Sequence, residues 1–128
     1  MRILLDTCAL IWLVNGGSEL SLTAKATIQQ AETVWVSAVS AWEMGIKHAR
    51  GKLVLDGGLE SWIERALRQH HLREMPLDIR SALRASRLPA IHADSADRLL
   101  IASALEHGLT LLTPDPAISR YPGISLLW

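Results

Sequence analysis

Phenylalanine is absent from this 128-residue chain, and tyrosine and cysteine occur once each. Without Phe, a core has to be assembled from Leu, Ile, Val, Ala and the tryptophans. A lone cysteine, Cys8, excludes an internal disulfide and fits a reducing cytoplasm. No thiol-protease signature surrounds Cys8, so it reads as a small buried hydrophobe. No apolar run reaches the roughly 20 residues that span a bilayer, and LLDTCALIWLV is interrupted by Asp6, so no membrane partner is expected. The first residues carry one positive charge and no cleavage pattern, which argues against a signal peptide. The histidines (His48, His70, His71, His92 and His107) share no zinc-ligand spacing and read mostly as surface residues. Linkers, internal repeats and low-complexity segments are missing too.

What remains is 49% apolar with a mean hydropathy of +0.19, the composition of one folded domain spanning 1–128. Net charge is zero, from 13 basic and 13 acidic residues, but the distribution is uneven. Ten of the 13 Lys and Arg residues fall between Lys47 and Arg98. With Asp6, Glu43, Asp94, Asp97 and Asp115 set aside, the rest of the chain carries +5. A basic rim around an acidic pocket suits a polyanion, although Arg65, Arg68, Arg80, Arg84 and Arg87 taken singly read as solvated helix faces.

The spacing predicts strands over Arg2–Asp6, Thr33–Ser37, Glu74–Leu77, Leu109–Thr113 and Ile124–Trp128. Helices are predicted over Thr7–Val14, from a Thr23 cap to Glu32 with Leu22, Ala26 and Ile28 inward, and over Ser40–Arg50. Three more follow over Leu59–His71, from an Asp78 cap to Leu88, and over Ser95–His107, with Lys52–Leu55 as a short extended piece. Strands alternating with helices imply an α/β fold, a mostly parallel sheet flanked by helices on both faces.

In such sheets, ligands bind beyond the carboxyl ends of the strands, and the five acids named above stand at such places. Each has a local explanation. Asp6 and Asp94 can cap helices, Ser40 and Glu43 match a capping box, Asp97 suits a positive helix end, and Asp115 sits in a Pro-Asp-Pro turn. The local account does not require them at one edge of one sheet. Crowded carboxylates repel unless a cation lies between them, and such a cluster supplies the oxygen ligands of Mg²⁺ or Mn²⁺, as one or two ions. Thr7, Ser37 and Thr113 stand beside the acids and could orient water or bond their own backbone. Lys47 is placed to pair with Glu43 or to meet phosphate, and Arg50 and Lys52 extend that basic run. His92 is the one histidine near the proposed pocket. Trp12, Trp35, Trp42 and Trp62 read as core, with Trp12 and Trp42 also suited to a dimer seam.

Four segments, LLDTCALIWL, SAVSAWEMGIKHARGKLVL, LPAIHADSADRLLIASAL and GLTLLTPDPAISRYP, together resemble PIN-domain ribonucleases, VapC-type toxins in particular. The resemblance runs from Arg2 to about Tyr121. It implies a PIN-like fold with strand order 3-2-1-4-5, a homodimer, Mg²⁺- or Mn²⁺-dependent cleavage of RNA, and a cognate antitoxin that blocks the pocket. It places the family's four acids at Asp6, Glu43, Asp97 and Asp115. Asp94 matches an additional acid of an HxDPxDR variant, in which Ser95 here replaces the usual proline. Two rival readings remain. Asp6 could be a phosphorylated nucleophile, although Cys8 stands where such enzymes carry a second Asp. The fold could also serve as a non-catalytic binding module, which the loss of a core acid would favour; none is lost.

Overall fold

The computed structural model describes all 128 residues. In chain order the elements are β1 (Arg2–Leu5), α1 (Thr7–Asn15), α2 (Leu22–Gln30), β2 (Thr33–Ser37), α3 (Ala38–Ala49) and α4 (Leu59–Gln69). They continue with β3 (Arg73–Met75), α5 (Ile79–Arg87), α6 (Ser95–His107), β4 (Thr110–Leu112), a 3₁₀ turn over Pro116–Arg120, and β5 (Ser125–Leu127). The five strands form one sheet in the order β3-β2-β1-β4-β5, and every neighbouring pair is parallel. No helix is long and apolar enough to cross a membrane.

A central parallel strand is covered on both faces, so it reads as an unbroken apolar run. Ile3, Leu4 and Leu5 of β1 are fully buried and divide by pleat. Ile3 and Leu5 face a core with Val34, Val36, Leu10, Met44, Trp62 and Leu112, fed by α1 to α4. Leu4 faces a second core with Leu100, Ile101, Ala104, Leu111 and Tyr121, built mainly on α6. Each such side chain contributes about 1.5–3 kcal/mol by leaving water. Trp12 packs edge-on against Trp128, with ring centroids 5.7 Å apart, so its apolar face is used within the chain. Trp42 is exposed and borders an apolar cleft with Leu77 and Leu99.

Several boundaries differ from the sequence expectation. Ser21, not Thr23, caps α2 by accepting the Ala24 N–H at 3.0 Å. That changes the helix phase, burying Ala24 and leaving Leu22 and Ala26 exposed. Ser37 caps α3 through the Val39 N–H, so the helix starts before Ser40 and the Ser40–Glu43 capping box does not form. Lys52–Leu55 pairs with no strand. The turn after β4 winds into 3₁₀ geometry with Asp115 as its cap. At the end of α6, Gly108 takes the left-handed conformation (φ 64°) that stops the helix at low steric cost.

Candidate metal centre

Chain order runs outward from β1 in both directions, to β2 on one side and β4 on the other. Crevices form at such a reversal, beyond the carboxyl ends of the strands. Asp6 follows β1 directly, and its backbone N–H donates to the Leu112 carbonyl of β4 at 3.1 Å. Asp115 follows β4 by three residues. Glu43 projects from α3, whose start follows β2; Asp94 caps α6 and Asp97 lies in its first turn. All five acids line one cleft of about 270 Å³, together with Thr7, Cys8, Lys47 and Pro114. The largest cleft, about 700 Å³ between Leu13, Lys25 and Arg73, contains none of them.

The local and the collective readings of the acids turn out to be compatible, because a carboxylate has two oxygens. Asp6 Oδ1 accepts the Ala9 N–H at 2.7 Å and caps α1. Asp94 Oδ1 caps α6 through the Asp97 N–H at 2.9 Å. Asp115 Oδ1 caps the 3₁₀ turn through the Ala117 N–H, also at 2.9 Å. The second oxygen of Asp115 meets His92 Nε2 at 3.2 Å, and all three carboxylates line the cleft. Glu43 and Asp97 are not caps. Glu43 Oε2 lies 3.7 Å from Lys47 Nζ, while its Oε1 is buried without any partner.

Electrostatics mark the cleft as short of positive charge. Burial raises the Asp6 carboxyl above its ordinary range, against hydrogen bonds from the Thr113 side chain and the Ala9 N–H, and Glu43 and Asp115 add to the rise. Asp97 is pushed up to about 6, first by burial and then by Asp94, with Glu43 and Asp6 contributing and His92 opposing. An orphaned buried oxygen beside carboxylates that resist ionising is a demand for a cation. An all-oxygen acidic set fits a hard divalent ion such as Mg²⁺ or Mn²⁺.

The neighbouring residues divide. Thr7 lines the cleft but donates its hydroxyl to Ser40 Oγ at 3.0 Å. Thr113 Oγ1 accepts the Asp115 N–H at 3.2 Å and also bonds Asp6. Ser37 is committed to its cap and borders a different cleft, beside Glu60, Glu64 and Glu74. Lys47 lines the acidic cleft, whereas Arg50 and Lys52 are exposed beyond the end of α3 and do not. Cys8 is exposed on the cleft wall rather than buried. It is the second residue of α1, where Thr7, Ala9 and Leu10 take the inward positions. Partial desolvation and Asp6 hold its thiol above the usual range, which makes it a poor nucleophile.

Three residues matter more than the sequence suggests. His92 Nε2 lies 2.9 Å from Asp97 Oδ2 and 3.2 Å from Asp115 Oδ2. Arg98, counted by sequence among the basic rim, turns inward instead. Its Nη1 donates to the Pro89 carbonyl at 2.8 Å, and its Nη2 to the Ala85 and Leu88 carbonyls, both at 2.9 Å. Tyr121, fully buried, accepts the His92 N–H at 2.9 Å. Of the other basic residues, Arg80 and Arg84 pair with Glu106 of α6.

Residues 3–124 match the family described as PIN domain. Ribonuclease VapC22 of Mycobacterium tuberculosis (strain ATCC 25618 / H37Rv) is 30% identical over 98% of each chain. Among solved structures, DNA-bound VapBC from Salmonella typhimurium superposes with a TM-score of 0.74 at 16% identity, covering 99% of this chain and 97% of that one. FitAcB from Neisseria gonorrhoeae gives 0.69 at 22% identity, covering 98% and 96%. At these identities the structural likeness is one of fold.

Proposed function

Because this chain belongs to the PIN domain family, we propose that it is an endoribonuclease acting at a Mg²⁺ or Mn²⁺ centre, with residues 1–128 as one functional domain. The observation that carries the reading is the convergence of Asp6, Glu43, Asp94, Asp97 and Asp115, from four separate segments, on one cleft at the strand reversal. A ribonuclease among its relatives, at 30% identity, supports RNA as the substrate.

Asp6, Glu43, Asp97 and Asp115 are the residues that would hold one or two ions, with Asp94 supporting from the start of α6. Such an ion, when bound, supplies Lewis acidity toward the scissile phosphate and a more acidic water. The residues of the chain do the rest. Asp6 and Asp115 are fixed by their caps, so their carboxylates line the cleft with little conformational freedom. Glu43 Oε1, desolvated and unbonded, is ready for an electropositive partner. Thr113 steadies Asp6 and Asp115 together. Lys47 stands on the cleft wall, where an RNA phosphate would gain a charge-assisted contact, and Arg50 and Lys52 extend positive charge away from it.

A cognate antitoxin belongs to the same reading, since solved relatives include the toxin–antitoxin complex of Klebsiella pneumoniae. In this proposal the chain is the toxin, working in the cytoplasm as a homodimer until that partner covers its cleft. The test is cleavage of single-stranded RNA with Mg²⁺ or Mn²⁺. Activity should stop with EDTA and be lost in folded Asp97→Asn. Undiminished cleavage by that variant would overturn the assignment.

A further inference from the structure

Asp97 and Asp115 come from different elements, the first turn of α6 and the loop after β4, yet their Oδ2 atoms both approach His92 Nε2. With His92 Nε2, these oxygens form a set of three atoms all within 4.8 Å of one another. At about 4 Å, two negative charges repel by roughly 1 kcal/mol in water and several times that near a protein surface. Something must hold them together before a cation arrives.

His92 is placed to do so. The Asp94 backbone N–H points at His92 Nδ1 from 3.4 Å, which leaves Nδ1 as the acceptor and puts the proton of the neutral ring on Nε2. Nε2 donates to Asp115 Oδ2 at 3.2 Å, and Asp97 Oδ2 stands 2.9 Å from the same nitrogen, off the direction of its N–H, as a close polar contact. The backbone of His92 is anchored from behind. Tyr121 Oη accepts the His92 N–H at 2.9 Å, and the His92 carbonyl accepts from Arg98 Nη1 at 3.4 Å. Arg98 also grips the Leu88 and Pro89 carbonyls of the same loop. The buried Tyr121 and the Arg98 guanidinium therefore hold the His92 backbone, and its imidazole in turn meets two carboxylates.

We infer that His92 is a positioning residue, whose Nε2, hydrogen-bonded to Asp115 and in close contact with Asp97, holds the pair at ligating separation. Carboxylate oxygens that share one hard divalent ion would have to stand within a few ångströms of each other. Oxygens already gathered within 4.8 Å need move little to reach that geometry. Direct ligation through Nε2 is disfavoured. It would transfer the ring proton to Nδ1, against the N–H of Asp94.

The inference rests on the metal centre proposed above, and the experiment separates the two. Mn²⁺ titration calorimetry on the full chain compares the wild type with His92→Ala, His92→Gln and His92→Asn, each checked for folding by thermal denaturation. His92→Ala should raise the Mn²⁺ Kd by roughly 10- to 100-fold, the usual effect of losing a partner that orients a ligand. His92→Gln places an amide N–H near the lost Nε2–H and should recover most of the affinity. His92→Asn is polar but too short and should behave like the Ala variant; it carries the comparison if the Ala variant fails to fold. Wild-type affinity in both the Ala and the Asn variant would overturn the positioning role and leave the metal centre standing. A Gln variant as weak as Ala, with nitrogen coupling in the wild-type Mn²⁺ EPR spectrum, would overturn it in favour of direct ligation. A wild type that binds no Mn²⁺ would sink the metal centre and this inference with it.

Discussion

Thr7 donates its hydroxyl to Ser40 Oγ across 3.0 Å, a buried bond between residues 33 positions apart. It ties the first turn of α1, capped by Asp6, to the early part of α3, which carries Glu43. Ser40→Ala leaves the Thr7 hydroxyl buried without that acceptor and should cost about 1–3 kcal/mol in urea denaturation. Replacing both, as Thr7→Val with Ser40→Ala, removes the unmet donor as well. The double variant should therefore lose less than the sum of the two single changes. Strict additivity would mean that the bond contributes nothing of its own.

Asp6 offers a way to separate folding from chemistry. In Asp6→Asn the amide oxygen can keep the cap on the Ala9 N–H, while Asp6→Ala removes it. The Ala variant should lose about 0.5–2 kcal/mol of stability relative to Asn. Both variants should lose Mn²⁺ binding, because only a carboxylate offers a second, charged oxygen to the cleft. Calorimetry and thermal melting on the same pair test this, and an Asn variant that binds Mn²⁺ normally would remove Asp6 from the centre.

Asp97 sets a pH dependence whose sign is fixed. Its carboxyl is raised from 3.8 to about 6 in the folded chain, so the folded state holds its proton more tightly than the unfolded state. The resulting penalty is absent below about pH 4, grows as pH rises through the interval, and is complete above about 6. Asp97→Asn should therefore melt higher than the metal-free wild type at pH 7.5, with the difference shrinking toward pH 4. A divalent ion at 1,000 times its Kd should reverse the order at pH 7.5, since it stabilises the wild type by about 4.1 kcal/mol. If Mn²⁺ raised the melting temperature of both proteins equally, Asp97 would not be a ligand.

Arg98 is a structural cation with carbonyl partners and no carboxylate. Arg98→Lys keeps the charge but cannot reproduce the planar fork that reaches Ala85, Leu88 and Pro89 at once. Guanidinium denaturation should show a loss of about 2–4 kcal/mol for Arg98→Ala, and most of that loss for Lys, in keeping with charged hydrogen bonds worth about 1.5–3 kcal/mol each and not additive. A Lys variant as stable as the wild type would assign Arg98 to the solvated surface after all.

Much of the fold was legible because its signals are local. The β-branched run TVWVS marks β2 to the residue, and Gly108 marks the end of α6. The acids were legible for the same reason, since strand ends and helix starts announce themselves. What local pattern could not decide was phase. Ser37 and Ser40 are both good caps, and only the contact of Ser40 with Thr7, from a distant part of the chain, shows which one is free to cap. The same ambiguity between Ser21 and Thr23 misplaced the inward face of α2. His92 and Arg98 were hardest to read, because the loop before α6 has no periodicity and its partners lie on other elements.

The bond from the Asp6 N–H to the Leu112 carbonyl has a bearing on how the protein is made. Asp6 leaves the ribosome more than a hundred residues before the strand that seats it beside Asp115. Pairing of such remote segments is a late and slow event in folding. A nascent or truncated chain without β4 therefore lacks the partner strand that completes the cleft.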